Sequence, residues 1–405
     1  MKNLYFLAIA VLIPTLITAQ LAEDIVTTGP SYENQVWYNM ASGEVASAPL
    51  NNWDIAFEIT GFTSSIRANT QKGLFVYEAP YAINEWEALV ELDGSWPELY
   101  NDITSWNRGA FNLHPTSDFD LGWGIYNPIT HFVNGDSLYV VQLTDGTLKK
   151  LRLDVLASGV YTFTYANLDG SDEQQKQLVK SDFTGKNFGY FSFETGEAID
   201  REPLSEDWDI TFKRYTENIQ GQSYAVSGIQ HNYGVRTSEV GSTPTDEASP
   251  WQADFVEEIN QIGYDWKNFS FGDGWVLQED LSYFVEAQNG SVYQIVFTGF
   301  GGTGTGVYEF TVTLNSALST STSETLEFIA FPNPLSAGSL LTLEGNFSPS
   351  TRLEVFSIDG RMINEQVLQG SSQIQLSTSG FDAGTYLIRI ISNDQALTQK
   401  VIINN

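Results

Sequence analysis

Asn52-Trp53-Asp54-Ile55-Ala56-Phe57 returns later in the chain as Asp207-Trp208-Asp209-Ile210-Thr211-Phe212. Side chains alternate across a pleated strand, so Trp53, Ile55 and Phe57 are expected on one face and Asp54 and Ala56 on the other. Trp208, Ile210 and Phe212 repeat that pattern. An aspartate held at the same place in two copies points to a shared structural job rather than to acid–base chemistry. We expect Asp54 and Asp209 each to accept backbone hydrogen bonds.

Further anchors extend the repeat in both directions. Val36 to Tyr38 and Tyr190 to Phe193 precede the two Trp-Asp strands, with turns at Ser42-Gly43-Glu44 and Thr195-Gly196-Glu197. Downstream, Trp106 with Phe111 answers Trp266 with Phe271, and Gly122-Trp123 answers Gly274-Trp275. Gly159-Val160-Tyr161-Thr162-Phe163 answers Gly306-Val307-Tyr308-Glu309-Phe310. Asp145-Gly146 and Asn289-Gly290 each sit between apolar runs, which is the signature of a hairpin with a type I′ turn. One helix is expected in the second copy. Ser249 caps it, Pro250 opens it, Phe255, Ile259 and Ile262 share a face, and Gly263 stops it. A shorter counterpart falls around Asn84 to Val90.

The fold class that follows is mainly β. Two tandem β-rich units with a few helical turns (21–170 and 171–315) precede a Ser/Thr-rich linker (316–325) and a small C-terminal antiparallel β-sandwich (326–405). Residues 1–20 read as an export signal, with Lys2, an apolar run from Leu4 to Ile17, and Thr18-Ala19 before Gln20. Pro14 interrupts that run, and it is short of the ~20 residues a spanning helix needs. No later stretch is long and apolar enough to span, so no transmembrane segment is expected after signal removal.

The balance of 19 basic against 50 acidic side chains, net −31, would repel phosphate backbones, so nucleic acid is not a partner. Cysteine is absent. That removes disulfides, thiolate metal sites, thiol nucleophiles and a lipid-bearing cysteine. No serine, histidine and acid set stands in a nucleophile context, and the glycine run Gly299 to Gly306 lacks a phosphate loop's Gly-Lys-Ser/Thr ending. A non-enzymatic protein is expected.

Pro332, Asn333 and Pro334, then Gly360 in Ser357-Ile358-Asp359-Gly360-Arg361, then Gly384 and Tyr386 in Ala383-Gly384-Thr385-Tyr386, and finally Lys400 resemble the landmarks of the type A C-terminal sorting domain of type IX secretion cargo. That resemblance implies handling by the type IX machinery and an extracellular or outer-surface location, either released or attached. The Trp-Asp-Ile-x-Phe strand with Lys213-Arg214-Tyr215 and Val226-Ser227-Gly228-Ile229 resembles the haem-binding HmuY family of surface proteins. This second resemblance implies a haem or other tetrapyrrole ligand held between two side chains, often histidines.

The chain has three histidines, His114, His131 and His231. Phe111 and Trp123 are eight residues further apart than Phe271 and Trp275, and that insertion contains His114. A second insertion of eight residues follows Trp123 and contains His131. Neutral imidazoles ligate transition metals and haem iron, and inserted loops are where binding groups tend to sit. His114, His131, Trp123 and Tyr126 are therefore the candidate ligand-binding residues. His231 reads as structural. The alternative is a structural or adhesive surface protein whose aromatic faces contact glycans or other proteins.

Overall fold

A computed structural model of the chain describes residues 22–61, 63–219, 222–315, 328–347, 351–358, 360–367, 371–392 and 395–404. The export signal and the 316–325 linker fall outside the described residues. The chain is mainly β and divides into two compact units, Met1–Ala317 and Leu318–Asn405.

In the larger unit the first copy contributes β1 (Ala22–Thr27), β2 (Asn34–Asn39), β3 (Gly43–Pro49), β4 (Ile55–Glu58), β5 (Ile66–Ala68), β6 (Phe75–Ala82), β7 (Gly124–Asn127), β8 (Phe132–Gly135), β9 (Ser137–Gln142), β10 (Leu148–Ala157) and β11 (Val160–Asn167). The second contributes β12 (Gln174–Val179), β13 (Phe188–Ser192), β14 (Glu197–Ile199), β15 (Ile210–Ile219), β16 (Gln222–His231), β17 (Arg236–Val240), β18 (Lys267–Ser270), β19 (Gly274–Leu277), β20 (Ser282–Glu286), β21 (Val292–Phe300) and β22 (Val307–Leu314).

The copies exchange their opening hairpins. β2 and β3 join the second copy's β15 and β16 in one sheet, with Tyr38 opposite Ile210 and Val36 opposite Phe212. β13 and β14 join the first copy's β4 and β5, with Phe191 opposite Ile55 and Phe188 opposite Glu58. At the edges, β1 pairs with β22, and β12 pairs with β11. The two copies expected as successive units thus share every layer of one compact unit.

Four sheets stack as a result. The outer sheet β12-β11-β10-β8-β7, with β9 and β6 beside it, packs on the β14-β13-β4-β5 sheet through Ile55, Phe57, Tyr161, Phe163 and Phe191. The β1-β22-β21-β20-β17 sheet packs on the β16-β15-β2-β3 sheet through Val36, Tyr38, Ile210, Phe212 and Phe310. Trp37, Ala56, Trp106, Phe188, Tyr190 and Trp208 fill the seam between the two inner sheets. Fully burying one such aromatic side chain is worth about 1.5–3 kcal/mol.

Both Trp-Asp motifs depart from the expected alternation in the same way. Trp53 and Trp208 pack in the seam, whereas Ile55, Phe57, Ile210 and Phe212 face the outer cores. The strands begin only at Ile55 and Ile210, because an asparagine bends each chain just before. Asn69 Nδ2 donates to the Leu50 and Trp53 carbonyls at 2.7 and 2.9 Å, and Asn232 Nδ2 to those of Ser205 and Trp208 at 2.7 and 2.8 Å.

The helix expected after Ser249 stops at a single 3-10 turn, Pro250–Gln252. The following backbone is spent on neighbouring strands: Val256 and Thr237 exchange hydrogen bonds, the Ile259 carbonyl accepts from His231, and the Gly263 carbonyl from Ile229. Sheet edges offer these amides and carbonyls partners that an isolated helix would have to supply itself. The counterpart near Asn84 is also a 3-10 segment, Ile83–Ala88. Both expected hairpins form, but as three-residue loops in which only Gly146 (φ 85) and Gly290 (φ 78) take positive φ. Such loops need one left-handed residue, not the two of a type I′ turn.

Lys267 on β18 is buried, donates to the Ser227 and Tyr264 carbonyls at 2.8 and 3.1 Å, and lies 4.2 Å from the Trp266 ring centre. Burial pulls its pKa down to about 7. The unfolded chain then holds the proton that the folded chain releases, so stability rises with pH above about 7. We expect a gain of roughly 2 kcal/mol between pH 7 and 9 from this group, read by urea unfolding. Lys267→Met should reduce that slope, leaving the contributions of Lys180 and Lys213, whose pKa values burial lowers too. A slope unchanged in Lys267→Met would contradict the assignment.

The smaller unit is a sandwich of two sheets. β23 (Phe328–Phe331), β25 (Leu340–Phe347) and β28 (Ser371–Ser377) form one. β24 (Leu335–Ser336), β26 (Arg352–Ser357), β27 (Met362–Val367), β29 (Gly384–Ser392) and β30 (Gln395–Asn404) form the other. Leu343, Leu353, Val355, Ile388 and Ile390 fill its core. Asn333, between Pro332 and Pro334, accepts from the Ile402 amide at 2.9 Å and donates to the Lys400 carbonyl at 2.8 Å. Gly360 takes φ 85 in the β26–β27 turn, and the Tyr386 hydroxyl donates to the Asp382 carbonyl at 2.9 Å.

Candidate functional site

The two insertions of the first copy flank a cleft of about 600 Å³ lined by Ser64, Phe119, Tyr126, His131, Val133 and Lys180, among others. That volume is ample for a drug-sized or larger organic ligand. Tyr126 sits on β7, and His131 in the turn leading to β8. Asn127 holds that turn: its side-chain oxygen accepts from Ile129 and Thr130, and its carbonyl accepts from the His131 amide at 2.8 Å. His131 is left at φ 59, with its Nδ1 2.6 Å from the Tyr126 hydroxyl.

The first insertion continues the same wall. Asp120 gathers it by accepting from Thr116 through one carboxylate oxygen and from the Gly122 amide through the other, at 2.6–2.8 Å. Gly122, at φ 90, passes so close to Asn112 that a Cβ would lie 2.7 Å from its Cα. Only glycine fits there. Phe119 is thereby stacked on Tyr126, ring centres 6.4 Å apart and planes at 29°. Across the cleft Lys180 lies over the Tyr161 ring at 5.3 Å, and burial lowers its pKa.

Of the four expected binding residues, the fold brings Tyr126 and His131 together. His114, also at positive φ (59), points elsewhere and pairs with Glu78 at 2.6 Å. It does not line the cleft, so the two histidines do not face one ligand. Trp123 is a core residue, 1% exposed, whose indole donates to the Ser64 carbonyl at 3.0 Å. Equivalence with Gly274-Trp275 could not have shown this, because Trp275 is 38% exposed. Phe119 and Lys180 were not legible as site residues. Phe119 lies in the His114 insertion and carried the one available signal, an aromatic residue inside a loop.

His231 is buried, and its carbonyl accepts from the Trp106 indole at 2.9 Å. Burial lowers its pKa, which keeps it neutral. Asp54 Oδ2 accepts from the Phe193 amide at 2.7 Å and Asp209 Oδ2 from the Met40 amide at 2.8 Å, each in the other copy's hairpin. Among the described residues no three histidine, aspartate or glutamate side chains converge on a metal-sized point.

Chemically, the Tyr126 hydroxyl and His131 Nδ1 share one hydrogen bond, and in the tautomer where Nδ1–H donates to the phenol oxygen the Nε2 lone pair is left as a donor atom. Either a phenolate or an imidazole can serve as an axial ligand of haem iron. The donor set and the stacked Phe119–Tyr126 wall fit a flat group of that kind.

Residues 329–404 match the family described as "Secretion system C-terminal sorting domain". No curated protein matches the chain. Among solved structures it is similar, at 10% identity, to Sidekick-1 immunoglobulin domains 1-5, covering 96% of this chain and 59% of that one with a TM-score of 0.17. Dimeric latent PorU from Porphyromonas gingivalis is similar at 10% identity, with 94% and 34% covered and a TM-score of 0.17. A polysaccharide lyase, BACCELL_00875, is similar at 10% identity, with 88% and 40% covered and a TM-score of 0.15. Likenesses at that level say nothing of function.

Proposed function

We infer that this chain, which its type IX sorting domain sends to the cell surface or the extracellular space, is a non-enzymatic binding protein for a flat, largely apolar ligand of the tetrapyrrole class. The observation that carries the reading is the cleft in which Phe119 and Tyr126 stack and His131 meets the Tyr126 hydroxyl. Haem would supply the iron. Tyr126 and His131 are the residues to hold it, Phe119 would cover a ring face, and the Lys180 amine suits a propionate. The resemblance of the Trp-Asp repeats to HmuY proteins supports the same ligand class.

Titration of the mature protein with haemin is expected to shift the Soret band. His131→Ala with Tyr126→Phe should abolish the shift, and His114→Ala should leave it unchanged. A shift that survives the double substitution overturns this site.

One observation favours a second reading, contact with glycans or another protein. On the β18–β19 hairpin Phe271 is 98% exposed, and Phe269 lies edge-on to both Phe271 and Trp275, at 5.6 and 5.4 Å. Binding on a glycan array that is lost in Phe269→Ser with Phe271→Ser, in a protein that leaves haemin untouched, would favour it.

A further inference from the structure

The seam between the two inner sheets holds more hydrogen-bond donors than acceptors. Two small cavities of about 30 and 40 Å³ share Gln35, Trp53, Arg67 and Lys213 in their walls. Trp37 and Trp208 are 0% and 2% exposed and line the first, as does Trp53, and the indole N–H of each is buried without a partner. The Lys213 amine lies 4.6 Å from the Trp106 ring centre and has no hydrogen-bond or ion-pair partner among the described residues.

Nearby acceptors are already engaged. Arg67 donates to the carbonyls of Asp102, Ser105, Trp106 and Arg108. Arg201 donates to Gln35, Asn52 and the Pro49 carbonyl. The one carboxylate lining these cavities, Glu202, accepts from the Asn187 and Phe188 amides and the Tyr190 hydroxyl. The acceptors left over are the neutral amide oxygens of Asn187, Gln71 and Gln230 and the Tyr215 hydroxyl.

Arg67 and Arg201 already outnumber Glu202 here, so a proton on Lys213 as well would cost several kcal/mol unless a negative charge joined it. The cavities set the size. Since a water needs about 10–15 Å³ of such space, each holds a few waters or one small anion. A sugar or a tetrapyrrole does not fit.

We propose that the seam is a binding site for a small monoanion, halide- or formate-sized, held between Lys213 and the indole N–H groups of Trp37, Trp53 and Trp208. Burial, with Arg67 and Arg201 close by and Glu202 only partly offsetting them, holds unliganded Lys213 well below its ordinary pKa. An anion binds together with a proton on the amine and supplies the counter-charge of the ammonium so formed. The site is separate from the Tyr126 cleft and does not depend on what that cleft binds.

Crystals of the mature wild-type protein soaked in sodium bromide test this directly. An anomalous peak within hydrogen-bonding distance of the Lys213 amine is expected. Bromide found at surface lysines alone, or nowhere, overturns the proposal. In solution, thermal unfolding in rising sodium bromide, with ionic strength held constant by sodium gluconate, should show a saturable increase of about 2–4 °C. Gluconate is too large for either cavity. Lys213→Met should lose the increase, and an equal increase in that variant overturns the proposal. If Lys213→Met does not fold, the bromide soak alone decides.

Discussion

Asp54→Ala is expected to lower the unfolding free energy by about 3–5 kcal/mol, the cost of breaking a buried ion pair from one side. Asp54 is 1% exposed. One carboxylate oxygen accepts from the Phe193 amide at 2.7 Å, and the other lies 2.9 Å from the Lys72 amine, which is itself 6% exposed and also meets Glu194 at 3.0 Å. Alanine would strand the buried Phe193 amide and leave the Lys72 ammonium with only the exposed Glu194 as its partner. Asp209 occupies the equivalent place in the second copy but makes no ion pair among the described residues, accepting from the Met40 amide at 2.8 Å. Burial raises its pKa. Asp209→Ala should therefore cost less, about 1–3 kcal/mol, the penalty for an unsatisfied buried amide. Urea unfolding of the two variants side by side decides the matter. Equal losses would mean that the Lys72 pair contributes nothing beyond the shared backbone bond.

Severing the chain between residues 170 and 171 is expected to leave neither piece folded and to let the two pieces fold together when mixed. Residues 22–170 contain β4 without β13, the hairpin strand that covers it, and residues 171–315 contain β15 without β2. Val36 and Tyr38 belong to the core built mainly by the second copy, and Phe191 and Phe193 to the core built mainly by the first. A piece lacking its exchanged hairpin exposes both an unpaired strand and an apolar sheet face. Circular dichroism and amide proton spectra of each piece, alone and mixed, give the readout. A cooperatively folded piece on its own would mean that the exchanged contacts are dispensable.

The C-terminal sorting domain was legible in the chain because its landmarks are local: two prolines around Asn333, a turn glycine at Gly360 and alternating apolar residues in short strands. The hairpins at Gly146 and Gly290 were legible for the same reason, since the need for one left-handed residue is settled within a few positions. The structural role of Asp54 and Asp209 was also written in the sequence, because duplication places each against the same kind of backbone amide. What each Trp-Asp strand pairs with was not. Both copies carry the same period-2 pattern, so either hairpin satisfies either strand. The choice between them rests on how the whole set of sheets stacks and closes.

The binding residues divide along the same line. Inserted loops pointed to His114, His131, Trp123 and Tyr126, but loop membership fixes neither direction nor depth. Glu78 draws His114 away, the core takes Trp123, and the turn at Asn127 delivers His131 to Tyr126. Lys213 shows the other extreme. In the sequence it is one basic residue in Lys213-Arg214-Tyr215, and only the packing of two sheets against each other leaves its amine among indole rings without a counter-charge. By itself the sequence determined the β class, the duplication and the export route, which depend on local pattern. Tertiary structure decided the hairpin exchange and the seam, which depend on contacts between residues more than a hundred positions apart, and the cleft, which depends on where each inserted loop turns its side chains.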